Sequence, residues 1–128
     1  LDKPMPTATA KKSILFVIQH APYGSHATQE TLDAALAAAA FEQQVQLLFS
    51  GDGVWSLMAD QHSDAIQRKN IEKLLHALHY YDIETVYVDA DSLQTRSLTI
   101  EHFSISTTAL SADEQAALLR RADCVIAL

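Results

Sequence analysis

The chain has 128 residues, of which 48% are hydrophobic and only three each are glycine and proline. That is the size and composition of one globular domain, and it excludes collagen-like and low-complexity classes. Nine basic residues against sixteen acidic ones give a net charge of -7, so the chain alone is a poor partner for nucleic acid, whose phosphates need Lys and Arg. The alanine-rich stretch over residues 32–41 is too short to cross a bilayer, and no basic segment followed by an apolar run reads as a secretory signal. A single cysteine, Cys124, cannot close an intramolecular disulfide and fits a reducing, cytoplasmic compartment.

Residues 1–12 carry two of the three prolines and no apolar periodicity, which predicts a disordered tail ahead of one domain over 13–128. Met5 is a candidate natural start. Residues 13–19 (SILFVIQ) form a nearly continuous apolar run, which suits a strand buried on both faces. A turn follows, and residues 26–42 have helical spacing, with Leu32, Ala35, Leu36 and Ala39 on one stripe. Residues 45–50 predict a second buried strand, ended by Gly51, Asp52 and Gly53, with a short helix over 54–59. A long helix is expected over 64–81, with Ile71, Leu74, Leu75 and Leu78 inward and Arg68, Lys69, Glu72 and Lys73 wet.

Residues 85–89 predict a third strand and 90–97 a short helix or turn. Residues 104–108 read as a weaker fourth strand. Ser111 and Glu114 have the spacing of a capping box, opening a helix to about Ala122 with Ala116 and Leu119 inward. Residues 124–128 (CVIAL) predict a fifth strand. Strands alternating with helices imply one parallel sheet between two helical layers, without repeat or second domain. Ligands in such sheets bind beyond the carboxyl ends of the strands, so the loops after the first three strands are the ones to inspect.

The first loop holds His20, Pro22, Tyr23, Gly24 and Ser25 and opens onto a helix whose free N–H groups suit an anion. Neither nucleotide fingerprint is present, and the plainer reading is a tight turn with Gly24 or Ser25 starting the helix. In the second loop Gly51 and Gly53 permit a close backbone approach, and Asp52 is placed to cap the following helix. Trp55, the one tryptophan, is either an interface anchor or packed beneath its own loop. His76 and His79 lie three residues apart on the long helix, but no further ligands accompany them, so they read as surface or boundary histidines and not as zinc ligands. Cys124 opens a terminal apolar strand beside Asp123, which predicts a small buried hydrophobe more than a reactive thiol. No cofactor or metal is expected.

Together these segments resemble the TusC/DsrF branch of the DsrE/DsrF sulfur-relay family. Ala21-Pro22-Tyr23-Gly24 matches its A-P-x-G turn, and Leu32-Asp33-Ala34 matches its L-D-A helix in a loosened form, six residues intervening between Gly24 and Thr31. Asp52-Gly53-Val54 matches the D-G-V turn, Tyr81-Asp82-Ile83-Glu84 the Y-D-I-E segment, and the stretch from Ser92 and Leu93 to Arg96 its S-L-x-x-R run. The resemblance covers nearly all of 12–128. It implies a three-layer α/β/α, flavodoxin-like, five-stranded parallel sheet of the DsrEFH type. It also implies a heterohexamer with TusB/DsrH-like and TusD/DsrE-like subunits, passing persulfide sulfur to a downstream acceptor protein. The destination would be 2-thiouridine in tRNA wobble positions or, in the Dsr branch, sulfur oxidation.

In that family the carrier cysteine belongs to the TusD/DsrE subunit, at the end of the third strand. Here that stretch is Val86-Tyr87-Val88-Asp89-Ala90-Asp91-Ser92, with no thiol. The resemblance therefore implies a non-catalytic subunit, with His20, Pro22, Tyr23, Gly24, Gly51, Asp52, Gly53 and Trp55 as candidate loop or interface residues. It implies no direct contact with nucleic acid or membrane. The rival readings are an independent sulfurtransferase using Cys124 and a small-ligand-binding flavodoxin-like domain.

Overall fold

A computed structural model describes residues 12–22, 26–58 and 65–127. The strands are β1 (Ser13–Ile18), β2 (Gln44–Phe49), β3 (Val86–Asp89), β4 (Thr108–Leu110) and β5 (Cys124–Ala127). The helices are α1 (Ala27–Ala40), α2 (Ala65–Ala77), α3 (Ala90–Thr95) and α4 (Ala112–Arg121). All strand pairs are parallel, in the order β4-β3-β2-β1-β5. The chain steps outward from β1 to β4 and then returns through α4 to the far side of β1.

The apolar run of β1 explains its place inside the sheet. Phe16 and Ile18 point into a cluster with Leu32 and Ala35 of α1, Ile71 and Leu75 of α2, and Leu93 of α3. Leu15 and Val17 point the other way, into a smaller cluster closed by Leu118 of α4. A strand with both faces covered must be apolar at every position, and these four side chains are all buried. The sheet is thus a middle layer, with α1, α2 and α3 on one face and α4 alone on the other. Among the described residues no helix is long and apolar enough to cross a membrane.

The helical stripes fall where spacing places them, with Leu32, Ala35, Ile71, Leu75 and Leu78 buried and Leu36, Ala39 and Leu74 half-buried against the same cluster. Lys73 is exposed as expected but Glu72 is half-buried, and the side chains of Arg68 and Lys69 lie outside the described residues. Residues 78–81 tighten into a 3₁₀ segment, Leu78–Tyr81, ended by Asp82 in the left-handed region at φ 63°. The expected short helix after β2 is a 3₁₀ segment, Gly51–Leu57. The Ser111–Glu114 capping box forms, the two reciprocal bonds measuring 2.8 and 3.2 Å.

Three expectations for the later strands and α4 fail. The fourth strand lies at Thr108–Leu110 and not at 104–108. Ser104 donates its N–H to the Leu57 carbonyl at 2.8 Å, and Phe103 makes an antiparallel bridge with Met58, so this backbone is committed outside the sheet. In α4 the inward leucine is Leu118, while Leu119 is 42% exposed. The sheet-facing stripe is set by Gln115, which bonds the Leu110 carbonyl at 3.1 Å, and Leu118 lies one turn further on. Cys124 is exposed. β5 is an edge strand paired only with β1 among the described residues, and none of these buries its first residue.

Candidate functional site at the carboxyl ends of the strands

The first three strands end together, and their loops are fastened to one another. Ser50 donates its N–H to the Ile18 carbonyl at 3.0 Å, extending the β1–β2 ladder by one bond. The chain then turns sharply through Gly51, at φ +54°, in the left-handed region that glycine tolerates. Gly53 lies so close to β1 that a Cβ there would sit 2.0 Å from the Ile18 carbonyl oxygen. The turn after β2 is therefore packed backbone against backbone on the end of β1.

The end of β3 is tied in by a carboxylate. Asp89 is the N-cap of α3, accepting from the Asp91 N–H at 3.3 Å and from the Ser92 hydroxyl at 2.5 Å. Gln115 of α4 donates to the same carboxylate at 2.6 Å. The Ser92 oxygen in turn accepts the Gly51 N–H at 2.8 Å. One carboxylate and one hydroxyl thus join the β2 turn, the β3–α3 junction and α4. Partial burial pushes the Asp89 carboxyl up, but bonds from Ser92, Gln115 and the Asp91 and Ser92 backbone outweigh it and hold the group below its ordinary value of 3.8. Ser92 and Asp89 are a hydroxyl–carboxylate pair, yet Ser92 is buried and its oxygen both donates and accepts. The pair fastens the strand-end loops to one another.

Asp52 does not cap a helix. It accepts from Arg96 at 3.0 Å (Nη2) and 3.3 Å (Nε), while Arg96 also donates to the Ser92 carbonyl at 3.2 Å. This bond clamps the β2 turn to the end of α3. Asp52 is largely exposed, so the clamp is a modest contributor to stability.

The predicted residues fall as follows. Gly51, Asp52 and Gly53 sit together at this end, against the end of β1. His20 is exposed, and its carbonyl accepts from the Thr28 hydroxyl at 3.1 Å, which ties the first loop to α1. Pro22 is buried. Tyr23, Gly24 and Ser25 lie outside the described residues; α1 itself begins at Ala27, with His26 as its N-cap and no side-chain cap bond. Trp55 is half-buried within the 3₁₀ segment. His76 and His79 are exposed, His76 lying 3.3 Å from the Ser104 carbonyl and the His79 ring 4.0 Å from that of Tyr80, tilted by 35°. Among the described residues no group of three or more His, Cys, Asp and Glu could hold a metal ion.

Sequence reasoning missed the Asp89–Ser92–Gln115 assembly. A carboxylate three residues before a hydroxyl at a strand end was visible as an N-cap signature, but Gln115 lies 26 residues away and only the fold brings it in. Cys124 lies elsewhere. It pairs with Ile14 near the amino end of β1, so the chain's one thiol opens β5 at the opposite end of the sheet from these loops.

A parallel, three-layer α/β domain with its strand-end loops bolted together, and no thiol among them, is the class of protein that this geometry defines. The DsrE/DsrF-like family profile matches residues 12–128, and the chain belongs to that family. It is similar to a TusC homolog of Pseudomonas aeruginosa, 34% identical over 117 residues, covering 91% of this chain and 98% of that protein. It is also similar to the intracellular sulfur oxidation protein DsrF of Allochromatium vinosum, 39% identical over 88 residues, covering 69% and 65%. The crystal structure of the ychN protein from E. coli superposes with a TM-score of 0.79 at 22% identity, covering 91% of this chain and 99% of that one, and bears out the fold.

Proposed function

We propose that this chain is a TusC/DsrF-like, non-catalytic subunit of a cytoplasmic sulfur-relay complex. Its partners would be TusB/DsrH-like and TusD/DsrE-like subunits in a heterohexamer, which passes persulfide sulfur to a downstream acceptor protein. The TusC homologs at 34–35% identity over nearly their whole lengths favour 2-thiouridine formation in tRNA as the destination. The similarity to DsrF keeps dissimilatory sulfur oxidation as the alternative.

One observation carries the reading. The end of β3, where the resemblance places the carrier thiol of the sister subunit, is occupied here by the carboxylate of Asp89. No persulfide can form there, and a fixed negative charge disfavours a neighbouring persulfide anion. The role left to this subunit is to shape the surface beside the carrier. Co-expression with a TusB-like and a TusD-like chain tests this. Native mass spectrometry should show a stable complex containing all three; a monomer that ignores both relatives contradicts it. The exposure of Cys124 supports one second reading, an independent sulfurtransferase, which a thiol mutant separates from the first.

A further inference from the structure

The opposite end of the sheet carries features that the strand-end site does not use. Two helix-to-strand turns meet there, the one after α1 (residues 41–43) and the one before β3 (residues 78–85). They present Phe41 and Tyr80, each 78% exposed, and Tyr81, 43% exposed. Large aromatics so open to water, clustered on two adjoining turns, are unusual on a small acidic domain and typical of contact anchors.

Two cavities open beside them. The first, about 380 Å³, has apolar walls of Leu75, Leu78, Ile83, Val86 and Ile105, with His76, His79, Glu84 and Ser106 completing its lining. The second, about 440 Å³, lies between the turns and is polar, with the carboxylates of Glu42, Asp82 and Glu84. Ile83 and Glu84 line both, so an apolar pocket and an acidic cleft adjoin. Glu42 and Asp82 hold left-handed backbone conformations, at φ 66° and 63°, fixing where their side chains leave the turns. Lys12 lies beside this cleft, its N–H bonded to Gln43, and the imidazoles of His76 and His79 line the adjoining pocket. Arg120 and Arg121 end α4 on the other face of the sheet. Among the described residues that line the cleft, the charged side chains are therefore all carboxylates.

We propose that this surface docks a short segment of a protein partner bearing a large apolar side chain next to Lys or Arg. The apolar residue would enter the pocket under α2. Its basic neighbour would lie along Glu84, Asp82 and Glu42, where carboxylates supply attraction and the aromatic rings a cation–π face. The pocket volume is at the small end of the range for ligand sites, roughly 300–1,000 Å³, and takes one anchor with its flanking backbone. A free small molecule would fill the pocket but leave the aromatic rim uncovered. An RNA would meet the wrong charge. The inference stands apart from the sulfur-relay reading and uses the other end of the sheet.

Selection of a random displayed-peptide library on the full-length chain tests it. Enriched peptides should carry Leu, Met or Phe within a few residues of Lys or Arg. Their binding should weaken about tenfold in Glu84→Gln, which removes the shared carboxylate, and in Ser106→Trp, which plugs the pocket mouth. Both positions are exposed, so thermal melting should be unchanged. Failure to enrich, enrichment of acidic peptides, or equal binding to both variants would overturn the proposal.

Discussion

Gly53 and Asp89 hold the strand-end loops by different physics, and each makes a prediction. A Cβ at Gly53 meets backbone, which cannot swing aside, so Gly53→Ala must push the turn off β1. The expected loss is about 2–3 kcal/mol in urea denaturation, as for other strained or overpacked backbone sites. Gly51→Ala has ordinary space, with its nearest atom 3.7 Å away, and suffers only the left-handed penalty of about 1 kcal/mol. Equal losses at both sites would show that the close approach is not the constraint. Asp89 has a folded pKa below its ordinary 3.8. Its charged form therefore stabilises the fold above that ordinary value, and the stabilisation is lost as pH falls through the lowered one. Wild-type stability should decline on acidification below about pH 4, and Asp89→Asn should flatten that limb. Parallel denaturation curves for the two proteins across that range would refute the assignment. The turn Gly51-Asp52-Gly53 was legible from sequence because glycines report local backbone needs. The role of Asp52 was not, because Arg96 lies 44 residues on and nothing local links them.

At the level of elements, capping chemistry and periodicity read well and edges read badly. The Ser111–Glu114 box was legible because it is complete within four residues, and Ser111→Ala should cost about 1 kcal/mol by thermal or urea melting. A change under a few tenths would mean that the box contributes nothing. β1 and β2 were legible because burial on both faces forces an unbroken apolar run. β4 was misplaced by four residues at its start, since a three-residue edge strand carries little pattern of its own. Its position is set by where Ser104 is held to Leu57, a tertiary fact. Cys124 was misread for a related reason. An apolar run at the chain's end looks like a core strand, but β5 is an edge, and Val125 is 43% exposed. Local hydrophobicity cannot tell a strand flanked on both sides from one flanked on one.

For the whole molecule, alternation of strands and helices specified the parallel three-layer architecture, and the order β4-β3-β2-β1-β5 came only with the structure. That order sets Cys124 beside the start of β1, while the loops fastened by Gly53 and Asp89 gather at the other end. On the proposed reading, a subunit built this way contributes surface and not sulfur chemistry. The most direct check is persulfide transfer through the assembled complex, with this chain as wild type and as Cys124→Ser. The position is exposed, so the substitution should alter stability by no more than about 0.5 kcal/mol and leave assembly intact. Transfer rates within about twofold of one another are the predicted result, since the step in question would leave the transition-state free energy nearly untouched. Abolished transfer through a complex that still assembles would make Cys124 a relay thiol and contradict the account.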